Sequence, residues 1–152
     1  MIKLWIACDH AAYPLKDLLK NEFASTVEFV DLGTNGPDSV NYPDFASRLC
    51  REVLSNSTEE EALTPRGILL CGSGVGMSMS ANRFKGIRAV LAFSSDIAEM
   101  SRKHNASNVL CLGARFLEPA QAKEIVNTWL STEFEGGRHK TRVDLMDSQQ
   151  GT

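Results

Sequence analysis

No apolar run in the 152 residues approaches the roughly 18 needed to cross a bilayer. The opening Ile2-Lys3-Leu4-Trp5-Ile6 lacks the basic stretch, apolar core and small-residue cleavage site of an export signal. Basic charge is not in surplus either: 16 Lys+Arg face 19 Asp+Glu, a formal charge of −3. Binding a phosphate backbone normally needs a clear basic excess, so neither nucleic acid nor a membrane is the expected partner. Cysteine is sparse, with residues 8, 50, 71 and 111 forming no CxxC pair and no zinc-ligand spacing. Neither a metal nor a disulfide framework is expected, and the free thiols fit a reducing, cytoplasmic compartment. No repeat, low-complexity tract or linker interrupts the chain. With 43% apolar and 23% charged residues, it reads as one ordered domain over residues 1–152 with a frayed tail at 144–152.

What is present is an alternation. Short β-rich runs occur at Ile2–Cys8, Val27–Asp31, Gly67–Cys71, Ile87–Phe93 and Asn108–Leu112. Their nearly continuous apolar character is that of strands covered on both faces. Between them, Leu15, Leu18, Leu19 and Phe23 form one helical stripe, and Phe45, Leu49 and Val53 another. Pro14, Pro43 and Pro119 stand where helices begin, and Ser94 or Ser95 is placed to cap the helix leading to His104. Ser55–Pro65 is polar and acidic, an extension of the second helix or an exposed loop. Repeated strand-then-helix order implies an α/β fold with a five-stranded parallel sheet between helical layers. In such a sheet ligands bind at the carboxyl ends of the strands.

At the end of the third run, Cys71 leads into Gly72-Ser73-Gly74-Val75-Gly76. Alternate glycines bring backbone N–H groups close to a bound anion, and a helix starting there adds its positive end. The loop has neither the Gly-Lys-Ser/Thr of a nucleotide-binding loop nor the spacing of a dinucleotide fingerprint. A thiol before a helix N-terminus is biased toward the reactive thiolate, although a core cysteine closing a strand is an equally good reading. Cys8, followed by Asp9 and His10, ends the first run in the same way, with Asp9 as a plain helix cap and His10 as its cover the alternative. His104-Asn105 closes the fourth helix, where histidine often serves only the dipole. Arg138 and Arg142 share a face if their segment is helical, and can then grip one phosphate or simply meet solvent. Met77 and Met79 are assigned to packing, Arg88 and Arg115 to a surface or interface.

Taken together, Asp9-His10-Ala11, Asp31-x-Gly33, Tyr42-Pro43-Asp44, Cys71 to Gly76, Ala81-Asn82, Gly86-Ile87-Arg88-Ala89, Ser101-Arg102-x-His104-Asn105 and Gly136-Gly137-Arg138-His139 resemble the ribose-5-phosphate isomerase B family. The resemblance covers almost the whole chain in order. It implies a Rossmann-like α/β/α sandwich, a homodimer or dimer of dimers with active sites at a subunit interface, and cofactor-free interconversion of ribose 5-phosphate and ribulose 5-phosphate. It implies Cys71 as the carbon base, since Met77 stands where a subset of the family has a glutamate. It further implies His104 as the ring opener with Asp9 assisting, and Ser73 as the proton shuttle between O1 and O2. Arg138, Arg142 and His10 match the phosphate clamp, Gly72, Gly74, Val75 and Gly76 the anion loop, and Asn105 and Arg115 residues supplied by the neighbouring subunit. Ser55–Pro65 is longer than in many members, and Asn105-Ala106-Ser107 lacks one acid that many carry. The alternatives are a hexose-6-phosphate isomerase of the allose or galactose type, and a small non-catalytic α/β ligand-binding module.

Overall fold

The computed structural model describes residues 1–149. Strands β1 (Ile2–Cys8), β2 (Val27–Asp31), β3 (Gly67–Cys71), β4 (Ala89–Leu91) and β5 (Val109–Gly113) alternate with helices α1 (Tyr13–Glu22), α2 (Tyr42–Ser55), α3 (Val75–Ala81), α4 (Ser95–Asn105), α5 (Pro119–Ser131) and α6 (Arg138–Asp147). All strand pairings are parallel, in the order β2-β1-β3-β5-β4. No helix among the described residues is long and apolar enough to cross a membrane.

Strand side chains alternate between two cores. Leu4, Ile6, Ile68, Leu70, Leu110 and Leu112 face the layer of α1, α4 and α5, where Trp129 is fully buried. Trp5, Ala7, Leu69, Cys71, Val109 and Cys111 face α2 and α3. The indole N–H of Trp129 is satisfied by Ser107 Oγ at 2.9 Å, which is what allows so large a ring to sit wholly inside. The three prolines lie in the first turns of α1, α2 and α5, and Ser94 Oγ accepts the Ile97 N–H at 3.3 Å.

Several expectations need correction. β4 is only three residues long because Ile87 closes a turn onto Phe84 and the Arg88 N–H goes to the Asn108 side chain instead of a ladder partner. Arg88 is not a surface residue but 5% exposed, since its guanidinium is supplied with carbonyl and carboxylate acceptors. Met79, expected to pack, is 64% exposed, whereas Met77 is buried. The tail is ordered as far as Asp147, the last residue of α6, whose carboxylate meets Arg88 at 2.8 Å; residues 150–152 of the expected frayed stretch lie outside the described residues. Ser55–Pro65 is a loop carrying one short 3₁₀ turn, Glu61–Leu63, after α2 ends.

Lys16 is the least expected core residue. Its side chain has no exposed surface, and its ammonium is held by Asp31 at 2.7 Å, Asn35 at 2.7 Å and the Thr34 carbonyl at 2.8 Å. This ties α1 to the loop after β2. Burial pushes the Asp31 carboxyl up, but hydrogen bonds from Lys16, Lys20 and the Gly33 N–H outweigh it, so the group titrates below its ordinary value of 3.8. A carboxyl depressed by folding stabilises above its unfolded pKa, and that contribution is lost as pH falls through the folded value. Asp31→Asn is expected to cost about 3 kcal/mol at pH 7 by stranding the buried ammonium. The gap from wild type should be smaller at pH 3, below the unfolded value and approaching the depressed folded one. Denaturant titrations at the two pH values check this, and a gap of equal size at both contradicts it.

Candidate active site

The carboxyl ends of β1 and β3 set the first group of side chains. Cys71 ends β3 pointing into the α2–α3 layer, 4% exposed, and its Sγ accepts the Gly74 N–H at 3.1 Å. Gly74 has a φ of +76°, and a Cβ there would lie 2.5 Å from Leu91 and 3.0 Å from the Leu112 backbone. No other residue lets the loop fold back onto the sulfur this closely. Gly113 is equally constrained, since a Cβ would stand 2.5 Å from the Ser73 carbonyl oxygen. Ser73 Oγ accepts the Val75 N–H at 3.2 Å, which leaves its hydroxyl proton free to donate. The N–H groups in the first turn of α3, including that of Gly76, have no intrahelical partner by construction.

Asp9, on the neighbouring strand end, is 8% exposed and accepts the Ala11 N–H at 2.9 Å. It therefore closes a local turn rather than capping α1, whose cap position is Ala12 with no side-chain bond. His10 Nδ1 accepts the Val40 N–H at 3.1 Å, so the neutral ring carries its proton on Nε2 as a free donor. The Arg115 guanidinium, after β5, lies against the loop, 2.9 Å from where a Cβ on Gly72 would be. The resemblance implied that a neighbouring subunit supplies Arg115; in this chain it already rests on its own loop.

The second group is elsewhere. α4 starts at the carboxyl edge and, over 11 residues at about 1.5 Å each, descends roughly 16 Å to the amino edge. His104 and Asn105 end it there, just before β5 begins. His104 stacks on His139 of α6, with ring centroids 4.2 Å apart and planes 11° apart. On α6, His139 and Val143 face inward while Arg138 and Arg142, also four residues apart, face solvent. His104, Asn105, His139 and Arg142 line a shallow pocket of about 280 Å³. One chain thus brings Cys71, Ser73, Asp9, His10, Arg115 and the glycine loop to one edge, and His104, Asn105, Arg138 and Arg142 to the other.

A model of the Ribose/Galactose Isomerase family matches residues 4–146. The chain belongs to this isomerase family. It is 39% identical over 147 residues to the ribose-5-phosphate isomerase B of Escherichia coli, covering 96% of this chain and 95% of that one. Among solved structures, a ribose 5-phosphate isomerase from Thermotoga maritima superposes with a TM-score of 0.89 at 44% identity, covering 97% of this chain and 99% of that one. The ribose-5-phosphate isomerase B of Mycoplasma genitalium with bound ribulose-5-phosphate gives 0.88 at 38% identity, covering 96% and 94%.

Donor atoms of His104, Glu135 and His139 lie within 4.8 Å of one another in this isomerase, the spacing of a loose metal cluster. The two rings are nearly parallel, 11° apart, so their in-plane lone pairs lie in separate, nearly parallel planes. Burial, followed by the nearby His104 and Arg138, holds the His139 imidazole below its ordinary pKa, with Arg142 adding to the effect. A cluster flanked by two guanidinium groups suits an anion better than a cation. His139 carries no role in its sequence motif; its four-residue spacing from Val143, which marks the inward face of α6, is the signal for it.

Cys8, Cys50 and Cys111 are held in the protonated form. Burial pushes the Cys8 thiol up to about 11 despite Lys16, and Cys50 up to about 12, while Cys111 stands well above the ordinary value. Cys8, which ends its strand as Cys71 does, donates its S–H to the Thr34 carbonyl at 3.4 Å, whereas the Cys71 sulfur accepts. At pH 8 a thiol titrating near 11 is ionised to only about one part in a thousand, and the thiolate is the nucleophile. Brief treatment with iodoacetamide is expected to give one adduct per chain, at Cys71. Peptide mass analysis checks this, and adducts on Cys8, Cys50 or Cys111 in the folded protein contradict it.

Proposed function

We propose that this isomerase interconverts ribose 5-phosphate and ribulose 5-phosphate in the cytoplasm, through an enediolate, in sites that two copies of the chain build together. The observation that carries the reading is the Gly74 N–H directed at Cys71 Sγ within a loop of backbone donors. Four free, buried thiols fit a reducing compartment.

Moving a carbonyl between C1 and C2 requires taking a proton off carbon and holding the resulting oxyanion. His104 opens the furanose ring, with Asp9 at the ring oxygen. The Cys71 thiolate removes the C2 proton of the open aldose within the loop of Gly72, Gly74, Val75 and Gly76. Gly74 and Val75 direct their N–H groups at Cys71 Sγ and Ser73 Oγ. The N–H groups of Gly72 and Gly76 are offered to the developing charge, each such donor worth about 2.7–4 kcal/mol. Ser73, with a hydroxyl proton to give, passes it between O1 and O2. Cys71 then returns its proton to C1. The proton count closes and no electrons leave the substrate, so one group serves as base and then acid. Arg138, Arg142, His10 and Asn105 hold the non-reacting phosphate and the sugar hydroxyls, which orients the carbon chain. Arg115 lies where it supports the loop.

Because the thiol and the histidine stand at opposite edges of one sheet, a productive site takes Cys71 from one copy and His104 from another. Cys71→Ala and His104→Ala are each expected to lower kcat at least 1,000-fold, on the scale of lost acid–base groups. If the two inactive variants are unfolded, mixed and refolded, half the dimers are mixed and each carries one intact site. About a quarter of wild-type activity should return. No recovery above the separate variants rules out the shared site, and near-normal turnover by Cys71→Ala rules out the thiol base. Parallel rates on ribose, allose and galactose phosphates separate the pentose reading from the hexose one.

A further inference from the structure

Arg88 is the residue whose surroundings depart furthest from what its sequence position suggests. Its side chain is 4% exposed and its planar fork is spread over three segments. Nε donates to the Ala106 carbonyl at 3.1 Å, Nη1 to Asp147 Oδ2 at 2.8 Å, and Nη2 to the Ala62 carbonyl of the loop after α2. Ala106, with a φ of +46°, is the left-handed residue that closes α4 immediately after His104 and Asn105. Asp147 is the last residue of α6, the helix that begins at Arg138. A single guanidinium therefore fixes the histidine turn and the arginine helix relative to one another, with a planar geometry that an ammonium could not reproduce.

The placement of Asp147 follows the helix. His139, Val143 and Asp147 stand at i, i+4 and i+8, one inward stripe, while Arg138 and Arg142 face out beside it. The stack on His104 anchors the start of this stripe and the Arg88 pair its end. Upstream, Gly136 and Gly137 both have positive φ, +67° and +59°, a point where the chain is free to pivot. Without its far anchor, α6 can swing about the histidine stack, and Arg142, just over one turn before Asp147, would be displaced with it.

From this we infer that the Arg88–Asp147 pair is a positioning device for substrate binding: it holds α6 so that Arg138 and Arg142 meet the phosphate at a set place relative to His104. The inference rests on the proposed role of those two arginines as phosphate ligands. Asp147 is absent from the lining of the His104–His139 pocket and borders instead the larger cavity beside Arg88, so its removal should alter grip and spare the chemical step. Asp147→Ala is expected to raise KM for ribose 5-phosphate about tenfold and to raise the competitive inhibition constant of inorganic phosphate by the same factor, with kcat within about twofold, because a displacement of about an ångström at a clamp costs on this scale. Asp147→Asn, which keeps an acceptor for Arg88, should recover most of the loss. Thermal melts and circular dichroism on all three chains separate loss of grip from loss of structure, which a purely structural role would show as parallel falls in melting temperature and active fraction with unchanged KM. Unchanged KM and phosphate inhibition in Asp147→Ala overturns the inference, as does a fall in kcat at constant KM. If wild type neither turns over ribose 5-phosphate nor is inhibited by phosphate, the functional reading itself is wrong; if wild type does both and Asp147→Ala matches it, only the positioning role fails.

Discussion

All five strands run the same way, so every helix that follows a strand starts at the carboxyl edge and delivers its own end to the amino edge. The consequence for this chain is geometric separation. Residues at strand ends, such as Cys71 and Asp9, gather at one edge, and residues at a helix end, such as His104, gather at the other. Five residues of strand at about 3.3 Å each put roughly 16 Å between them, far more than a proton-transfer distance. No side-chain rearrangement bridges that gap. Under the proposed mechanism, a parallel α/β sheet carrying both groups builds a working site by offering its two edges to two copies, which makes assembly and activity one requirement of that proposal.

The amino edge is where ordered polar groups are concentrated, and it is built unlike the rest of the molecule. Arg66, Arg88, Arg102 and Asn108 are all buried there, each with carbonyl acceptors or side-chain partners. Arg102 reaches the carbonyls of Leu63, Ser107 and Thr132, and burial, with Arg88 close by, pushes its guanidinium down to about 10. Burying cations is costly unless every donor is satisfied. Here the acceptors come from loops and helix ends, whose carbonyls lack ladder partners, so the same bonds that make burial tolerable also fasten Ser55–Pro65, the α4 turn and α6 to the sheet. One long loop, the end of α4 and the last helix are thereby joined into a single support for the His104–His139 stack.

Much of this was legible in the residues themselves. The boundaries of β1, β2 and β3 follow from apolar runs that end at a charged or glycine-flanked position, and the prolines mark helix starts because a missing N–H is harmless there. Cys71 and its glycine loop could be assigned to a strand end by spacing alone. What could not be read is everything that depends on a partner distant in sequence. Lys16 lies in an apolar stripe and looks like a solvated residue until Asp31, 15 positions on, is folded against it. Arg88 looks like a strand flank until Asp147, 59 positions on, arrives. β4 ran long in the reading because the apolar pattern continues through Ile87, whereas the Asn108 side chain takes the Arg88 N–H out of the ladder.

The two cysteines that end neighbouring strands show how differently two similar positions can be hydrogen-bonded. Cys8 and Cys71 share a strand edge, both follow apolar runs, and both are buried. Their hydrogen bonds have opposite polarity: Cys8 gives its proton to a carbonyl, and Cys71 receives one from an amide. A carbonyl facing sulfur favours the thiol, and an amide facing sulfur complements a negative charge. That difference comes from the loop that follows each strand. After β1 the chain carries Asp9 and leaves the sulfur to the Thr34 carbonyl, while after β3 a left-handed Gly74 turns an N–H back onto it. The amide contact at Cys71 is therefore set by one glycine's backbone conformation, which in turn needs the bare backbone of Gly113 on the next strand to make room.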